Sequence, residues 1–301
     1  MTHMTILVEN GSVDLFEILR DTGIGIMSLS NAESASYASK ILYTFKNLTK
    51  LHLWGTFSGR CSLQLPVTMQ CISLQKVECS AEWLCSLLSA LSSLDHSLLC
   101  ELLDVVLQPY EYSCGDDSQT NASDLRSEIL SLDMRHMTMS VINGSVELFE
   151  ILRDTSLGIL DLKTADCASS ASKILYNIKQ LTTLHLWGTY NERCTLKLPA
   201  TLQCISLQKV ECSAECLCSM LIALSLLAHS VQCEMYDVVF QSFEYSCGRE
   251  SQTHVSDLRS EILALDMTHM TILVENGSVE LSEILRDTSI RILDLKNAEC
   301  G

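Results

Sequence analysis

The amino-acid sequence predicts an α/β fold: a right-handed solenoid with a parallel sheet on its concave face and helices on its convex face. Three observations carry that expectation. The first is a tandem repeat, in which Met1-Thr2-His3-Met4-Thr5 returns as Met134-Arg135-His136-Met137-Thr138 and again as Met267-Thr268-His269-Met270-Thr271, a constant shift of 133 residues. The second is a finer figure inside each copy, with apolar residues at relative positions 1, 4 and 6 and a small residue at 9. Alternation at 4 and 6 buries every second side chain of a short strand, and the residues between them point outward. The third is helical spacing between these strands, which makes strand, crossover and strand the repeating unit.

Taken in order along the second copy, the figure falls on Met134/Met137/Met139, Leu157/Leu160/Leu162/Ala165, Leu181/Leu184/Leu186/Thr189 and Leu202/Ile205/Leu207/Val210, and more loosely on Cys233/Met235/Val238. With position 4 as anchor, the strands centre on Met4, Met27, Leu51, Ile72, Glu101, Met137, Leu160, Leu184, Ile205, Glu234, Met270 and Leu293. Glu101 and Glu234 break the apolar rule, and the apolar neighbours Cys233 and Met235 point to a register shift of one in that strand. Ser145 to Asp154 reads as a helix, with a capping serine and acids in the first turns where the helix dipole favours them. Ala168 to Gln180 and Ala214 to His229 carry apolar stripes at helical spacing. The stretch between Thr189 and Leu202 is short and holds Pro199, so it is expected to be irregular. No Pro-, Gly- or Ser-rich linker separates the copies, which predicts one solenoid over 1–301, built of units 1–133 and 134–266 and a partial unit 267–301.

Hydrophobic residues make up 47% of the chain, ample for a core. The 20 Lys+Arg stand against 37 Asp+Glu, a net charge of -17, which argues against nucleic acid or an anionic membrane surface as partner. Apolar runs such as Met220 to Ala228 end well short of the ~20 residues that cross a bilayer. The first residues lack the basic start and apolar stretch of an export signal, so a cytoplasmic location is expected. The 15 cysteines sit mostly among Leu, Val, Ile and Ala, as small buried hydrophobes do. Five Asn-X-Ser/Thr triplets, Asn10-Gly11-Ser12 among them, read as polar turns in that setting.

The strand figure resembles the leucine-rich repeat family over essentially the whole chain. Its helical crossovers and lack of extracellular flanking cysteines look most like the intracellular repeats of NACHT-type (NLR-like) innate-immune receptors, including invertebrate ones, and of ribonuclease inhibitor. The pattern departs from the family at position 9, where Asn or Cys is common but Ala32, Ala165, Ala298, Thr56, Thr189, Val77 and Val210 stand here. Loop backbone groups that this Asn would serve must therefore find other partners.

Several motifs could carry chemistry. Asp21-Thr22-Gly23 spells an aspartic-protease signature, but its copies are Asp154-Thr155-Ser156 and Asp287-Thr288-Ser289, as at a helix end followed by a turn. Cys212, Cys216 and Cys218 suggest a thiolate metal site; the first copy has Cys79, Trp83 and Cys85, and a position that accepts Trp is an apolar helix face. No phosphate loop and no nucleophile–base–acid spacing is recognisable, so neither enzyme activity, a cofactor nor a metal is expected. The outward strand positions are the better candidates, because a parallel sheet lines them up as one surface. They comprise His52, Trp54, Asp161, Lys163, His185, Trp187, Gln208, Lys209, Tyr236 and Asp237. The polar stretches Tyr110 to Asp117 and Tyr245 to Glu250 are further candidates, read first as solvated spacers.

The resemblance implies a non-catalytic scaffold that binds a protein or peptide on its concave face, as in the sensing region of an NLR-like receptor. The alternatives are an acidic inhibitor resembling ribonuclease inhibitor and an F-box-type substrate adaptor. Strand-forming residues at both ends of the chain also predict exposed apolar edges and end-to-end self-association.

Overall fold

The computed structural model describes residues 4–9, 11–108, 127–190, 195–240 and 259–296. The chain divides into two compact units, Met1–Ile159 and Leu160–Gly301. Among the described residues, the first unit holds strands β1 (Met4–Val8), β2 (Ile24–Leu29), β3 (Lys50–Phe57), β4 (Cys71–Cys79), β5 (Leu98–Leu103), β6 (Val106–Leu107) and β7 (Met137–Ile142). Its helices are α1 (Val13–Leu19), α2 (Ala32–Ser39), α3 (Ala81–Ser92) and α4 (Val146–Leu152), with a 3-10 turn at Leu42–Thr44. The strands pair in parallel in the order β1-β2-β3-β4-β5-β7, and the short β6 pairs with β4.

The second unit repeats this plan. It begins within β8 (Ile159–Leu162) and continues with β9 (Thr183–Tyr190), β10 (Cys204–Cys212), β11 (Val231–Tyr236), β12 (Val239–Phe240), β13 (Met270–Glu275) and β14 (Ile292–Lys296). Its helices are α5 (Ala165–Ala171), α6 (Ala214–Ser225) and α7 (Val279–Leu285), with a 3-10 turn at Leu175–Asn177. The strand order is β8-β9-β10-β11-β13-β14, parallel from β9 onward, with β12 beside β10. Consecutive main strands are neighbours and each parallel step passes through a crossover, so the expected α/β class and parallel sheet are present.

The core is made of columns that run across the strands. In the first unit the registers align Ile6, Met27, Leu51, Ile72, Cys100 and Met139, and beside them Val8, Leu29, Leu53, Leu74, Leu102 and Val141. From Met27 to Met139 and from Val8 to Val141 all of these are buried. Each such side chain contributes about 1.5–3 kcal/mol relative to exposure, and the helices close over them. An added Cβ at Gly11 would lie 2.6 Å from the Phe16 ring of α1 and 2.9 Å from Val8 of β1, which shows how tightly helix meets strand there.

Two anchor assignments need correction. The anchor in the fifth strand is Cys100, opposite Ile72, and Cys233, opposite Ile205; Glu101 and Glu234 point outward, as a register shift of one requires. In the first strand of each 133-residue repeat the aligned anchors are Ile6, Met139 and Ile272, two residues after Met4, Met137 and Met270. The cause is an over-long apolar run: Met134, Met137, Met139 and Val141 are all buried, so a period of two fits at two offsets.

The helices begin where their caps dictate. Ser12, Ser145 and Ser278 each accept the N–H three residues on, from Leu15, Leu148 and Leu281. Ser80 and Ser213 do the same for α3 and α6. The helix expected over 168–180 starts earlier, at Ala165 behind the Thr164 cap, and stops at Ala171 before the 3-10 turn. The helix expected to reach His229 ends at Ser225, and the His229 ring N–H donates instead to Leu202 O at 2.6 Å. Its first-copy counterpart His96 bonds Met69 O in the same way. Residues 195–199 form no regular element, as Pro199 led one to expect.

The backbone groups that a position-9 Asn would serve are met by neighbours. Asn31 Nδ2 donates to Glu9 O at 2.7 Å, Ser30 Oγ to the same carbonyl at 3.0 Å, and Ser34 Oγ accepts from Gly11 N at 3.0 Å. In this turn after β2 the work falls to positions 7, 8 and 11.

In each unit the strand ends also turn at one level. Gly55, Lys76, Asp104 and Asn143 have φ of +98°, +51°, +53° and +54°, and Gly188, Lys209, Asp237 and Asn276 repeat the row at +103°, +51°, +53° and +54°. Lys209 is the extra residue of a bulge, since Gln208 pairs with Trp187 and Val210 with Gly188. Asn143 and Asn276 each donate to the aspartate beside them, at 2.7 Å to Asp104 and 2.9 Å to Asp237. Beyond the bulge, β4 and β10 continue and pair with β6 and β12.

Candidate functional site

Outward side chains alternate with the buried columns, and the register sorts them into rows. In the second unit one row runs His185, Ser206, Glu234, Leu273 and Asp294, and the next runs Trp187, Gln208, Tyr236, Glu275 and Lys296. Asp161 on β8 and Lys163 just after it join these rows through side-chain contacts. Asp161 Oδ1 lies 2.7 Å from His185 Nδ1, and Asp161 Oδ2 lies 3.7 Å from Lys163 Nζ. The Lys163 ammonium sits 3.8 Å from the centroid of the Trp187 ring, a cation–π contact. Gln208 Nε2 donates to Ser206 Oγ at 3.1 Å, and Gln232 Nε2 to Glu234 Oε1 at 2.6 Å. Tyr236 has its phenol pKa raised, first by partial burial and then by the negative charges of Glu234 and Glu275.

The first unit builds the same frame with different side chains. Leu7, Ser28, His52, Ser73, Glu101 and Ser140 form one row, and Gln75, Leu103 and Ile142 lie in the next, beyond Trp54. Ser28 and Ser30 stand where the second copy has Asp161 and Lys163. His52 Nδ1 therefore turns to Gln75 Nε2, 3.3 Å away, and the same Gln75 amide donates to Ser73 Oγ at 3.2 Å. The pKa of His52 is lowered, mainly by burial and secondly by the Lys50 ammonium, with Glu101 opposing. Lys50 pairs with Glu101 across two strands at 3.3 Å. Trp54 remains 42% exposed.

The ten expected residues thus fall into three groups. Asp161, Lys163, His185 and Trp187 form one connected cluster, and Gln208 and Tyr236 continue its row. His52 and Trp54 occupy the matching places in the other unit. Lys209 and Asp237 are exposed and belong to the left-handed row at the strand ends instead. The residues that sequence reasoning missed are Lys50, Glu101, Glu234 and Glu275, all outward. Their signal was present in Glu101 and Glu234, since a carboxylate at a supposedly apolar position marks a strand read one residue out of phase.

Asp161, His185 and Ser206 stand on three successive strands, the residue types of a hydrolytic triad. Ser206 is fully buried and its hydroxyl accepts from Gln208, so this arrangement presents no nucleophile to solvent. The Asp-Thr pairs of the protease-like motif are helix-end turns: Thr155 and Thr288 hydroxyls each donate to a carbonyl three residues back, at 2.7 Å. Among the described residues no group of three or more His, Cys, Asp and Glu could hold a metal, Cys212, Cys216 and Cys218 included. Those three thiols are buried, and in the first copy Trp83 takes the place of Cys216 and stacks on Phe57 at 4.5 Å. The cysteines behave as core residues, with the Cys79, Cys85, Cys100 and Cys212 thiols pushed up to about 12 by burial. The two polar stretches near 110–117 and 245–250 lie outside the described residues.

Among the described residues no helix is long and apolar enough to cross a membrane. No protein-family model matches the chain, and no curated protein matches it significantly. The class defined by fold and surface is an α/β protein of repeated strand–crossover units with a parallel sheet, compatible with a leucine-rich-repeat-like solenoid.

Proposed function

We propose that this chain is a non-catalytic recognition module whose outward strand rows bind a protein or peptide ligand in the cytoplasm, as the sensing region of an NLR-like receptor would. The observation that carries the reading is Trp54, a large aromatic left 42% exposed on an otherwise regular sheet. Tryptophan dominates binding hot spots because it supplies a large rigid contact area. The test is selection of peptides from a displayed library with the wild-type chain and with a Trp54→Ala/Trp187→Ala variant of unchanged circular dichroism. Enrichment lost in the variant supports the reading; equal enrichment by both, or none by either, overturns it.

The net charge of -17 and the grouping of Glu234, Tyr236 and Glu275 favour a second reading, an acidic inhibitor resembling ribonuclease inhibitor. It predicts salt-sensitive capture of a basic ribonuclease, because exposed charge attraction is screened over about 10 Å at 0.1 M salt. Absence of capture at low salt removes it.

A further inference from the structure

The two copies treat the same tryptophan differently. In the second, the Lys163 ammonium covers the Trp187 ring at 3.8 Å and is steadied by Asp161 at 3.7 Å. In the first, the positions of both charges are serines, Ser28 and Ser30, and the Ser30 hydroxyl is spent on Glu9 O at 3.0 Å. The frame around the ring is otherwise kept: Leu51-His52-Leu53-Trp54-Gly55-Thr56 is identical to Leu184-His185-Leu186-Trp187-Gly188-Thr189, and both glycines take a positive φ. The ring face that one copy fills with its own cation is therefore open in the other, where Trp54 is 42% exposed.

We infer that Trp54 is a seat for a cationic side chain, a lysine or arginine of a basic peptide partner, at the place that Lys163 fills from within the chain in the second copy. This rests on the proposed recognition role of the outward rows and names the partner's chemistry. The electrostatics agree. The outward lysine of the same strand, Lys50, is engaged with Glu101 at 3.3 Å, and the chain as a whole carries a net charge of -17, which draws basic ligands toward it. A lysine or arginine also lays its aliphatic stem on apolar surface, which Leu103 and Ile142 supply in the row beyond Gln75.

The swap between copies provides the test. Hexalysine is titrated into the full chain while the indole N–H resonances of Trp54 and Trp187 are followed by NMR, with hexaglutamine as the uncharged control. In the wild type hexalysine moves the Trp54 signal and leaves Trp187 in place. The Ser28→Asp/Ser30→Lys variant, which gives the first copy its own cation, loses the Trp54 response. The Lys163→Ser variant gains a response at Trp187, which keeps the test decisive should the double variant fold poorly. Trp54→Ala weakens hexalysine binding by about 2- to 5-fold, the size of an exposed cation–π contact. A Trp54 signal that stays still, or that moves equally in the wild type and Ser28→Asp/Ser30→Lys, overturns the seat. An equal response to hexaglutamine overturns it as well but leaves outward-row recognition standing. Failure of library selection on the wild type would instead remove that broader reading.

Discussion

Raising the pH should unfold this protein through its cysteines. Cys79, Cys85, Cys100 and Cys212 are 0–2% exposed, and burial pushes each thiol from 9.0 to about 12. A thiol whose pKa is higher in the folded than in the unfolded state holds its proton better when folded. Its contribution is therefore complete below pH 9 and is lost as the pH rises from 9 toward 12. At pH 10 an unfolded thiol is mostly ionised and a folded one is not, which costs on the order of 1 kcal/mol for each. Four such groups together remove several kcal/mol, a large share of the roughly 5–15 kcal/mol that a domain has in all. The assay is urea unfolding followed by far-ultraviolet circular dichroism at pH 7, 9 and 10 under reducing conditions. The midpoint should fall steeply between the last two. Cys100→Ala separates this cause from tyrosine and lysine titration: it costs about 1 kcal/mol at neutral pH and regains on the order of 1 kcal/mol relative to wild type at pH 10. A midpoint unchanged at pH 10, or a variant with the same pH slope as wild type, would refute the reasoning.

Four further outcomes are expected. Gly55→Ala should cost at least about 2 kcal/mol in urea unfolding, because its φ is +98° and the new Cβ would stand 2.7 Å from Ser30 O, and Gly188→Ala should cost less, since its nearest neighbour, Lys163 O, is at 3.6 Å. Ser213→Ala removes the cap that accepts from Cys216 N at 3.2 Å and should lower stability by about 1 kcal/mol, read from the same transition. Glu101→Leu should change stability by no more than about 1 kcal/mol, because it loses a partly exposed pair with Lys50 and a weak thiol contact from Cys71 at 3.7 Å, whereas Cys100→Glu places a charge in the core and should abolish the cooperative transition. Met4 and Leu7 on β1, and Ile292 and Leu295 on β14, are 40–55% exposed, and light scattering should detect association that grows with concentration.

What was legible in the sequence followed from period and what was hidden followed from its degeneracy. Leu51, Ile72, Leu184 and Ile205 could be placed as anchors because one apolar alternation of limited length fits in only one way. Met134 to Val141 could not, because a longer alternation leaves two registers with equally buried side chains. Helix starts were readable from Ser145 and its acids, but the end of α5 at Ala171 was not. There the apolar stripe runs on through Leu175 and Ile178 without the backbone staying helical, so side-chain spacing alone misstates the length. Of the surface, the outward positions could be enumerated, but not their pairing. Asp161 reaches His185, while Gln75 takes the equivalent His52, and nothing in the spacing distinguishes the two. Lys209 and Asp237 were counted as surface-row residues because a bulge residue and a strand-end aspartate look like strand positions until φ is known.

The duplication itself separates what the frame requires from what the surface is free to change. Three inward differences along the strands stay apolar: Ile6 becomes Met139, Leu98 becomes Val231 and Leu102 becomes Met235. A polar group at any of these positions would meet no partner, and volume-conserving apolar exchanges cost little. Outward differences change chemical kind: Leu7 becomes Ser140, Ser28 becomes Asp161, Ser30 becomes Lys163, Lys50 becomes Thr183, Leu99 becomes Gln232 and Leu103 becomes Tyr236. Substitutions of this sort alter charge and contact surface without disturbing a single buried column. The two units therefore share a scaffold but not a face, the first presenting an open indole in a row that continues through Gln75 to Leu103 and Ile142, the second a self-covered indole in a row that continues through Gln208 to Tyr236 and Glu275. A ligand selected on one face should bind the other weakly, and the exchange of Ser28 and Ser30 for Asp and Lys should make the first face behave more like the second.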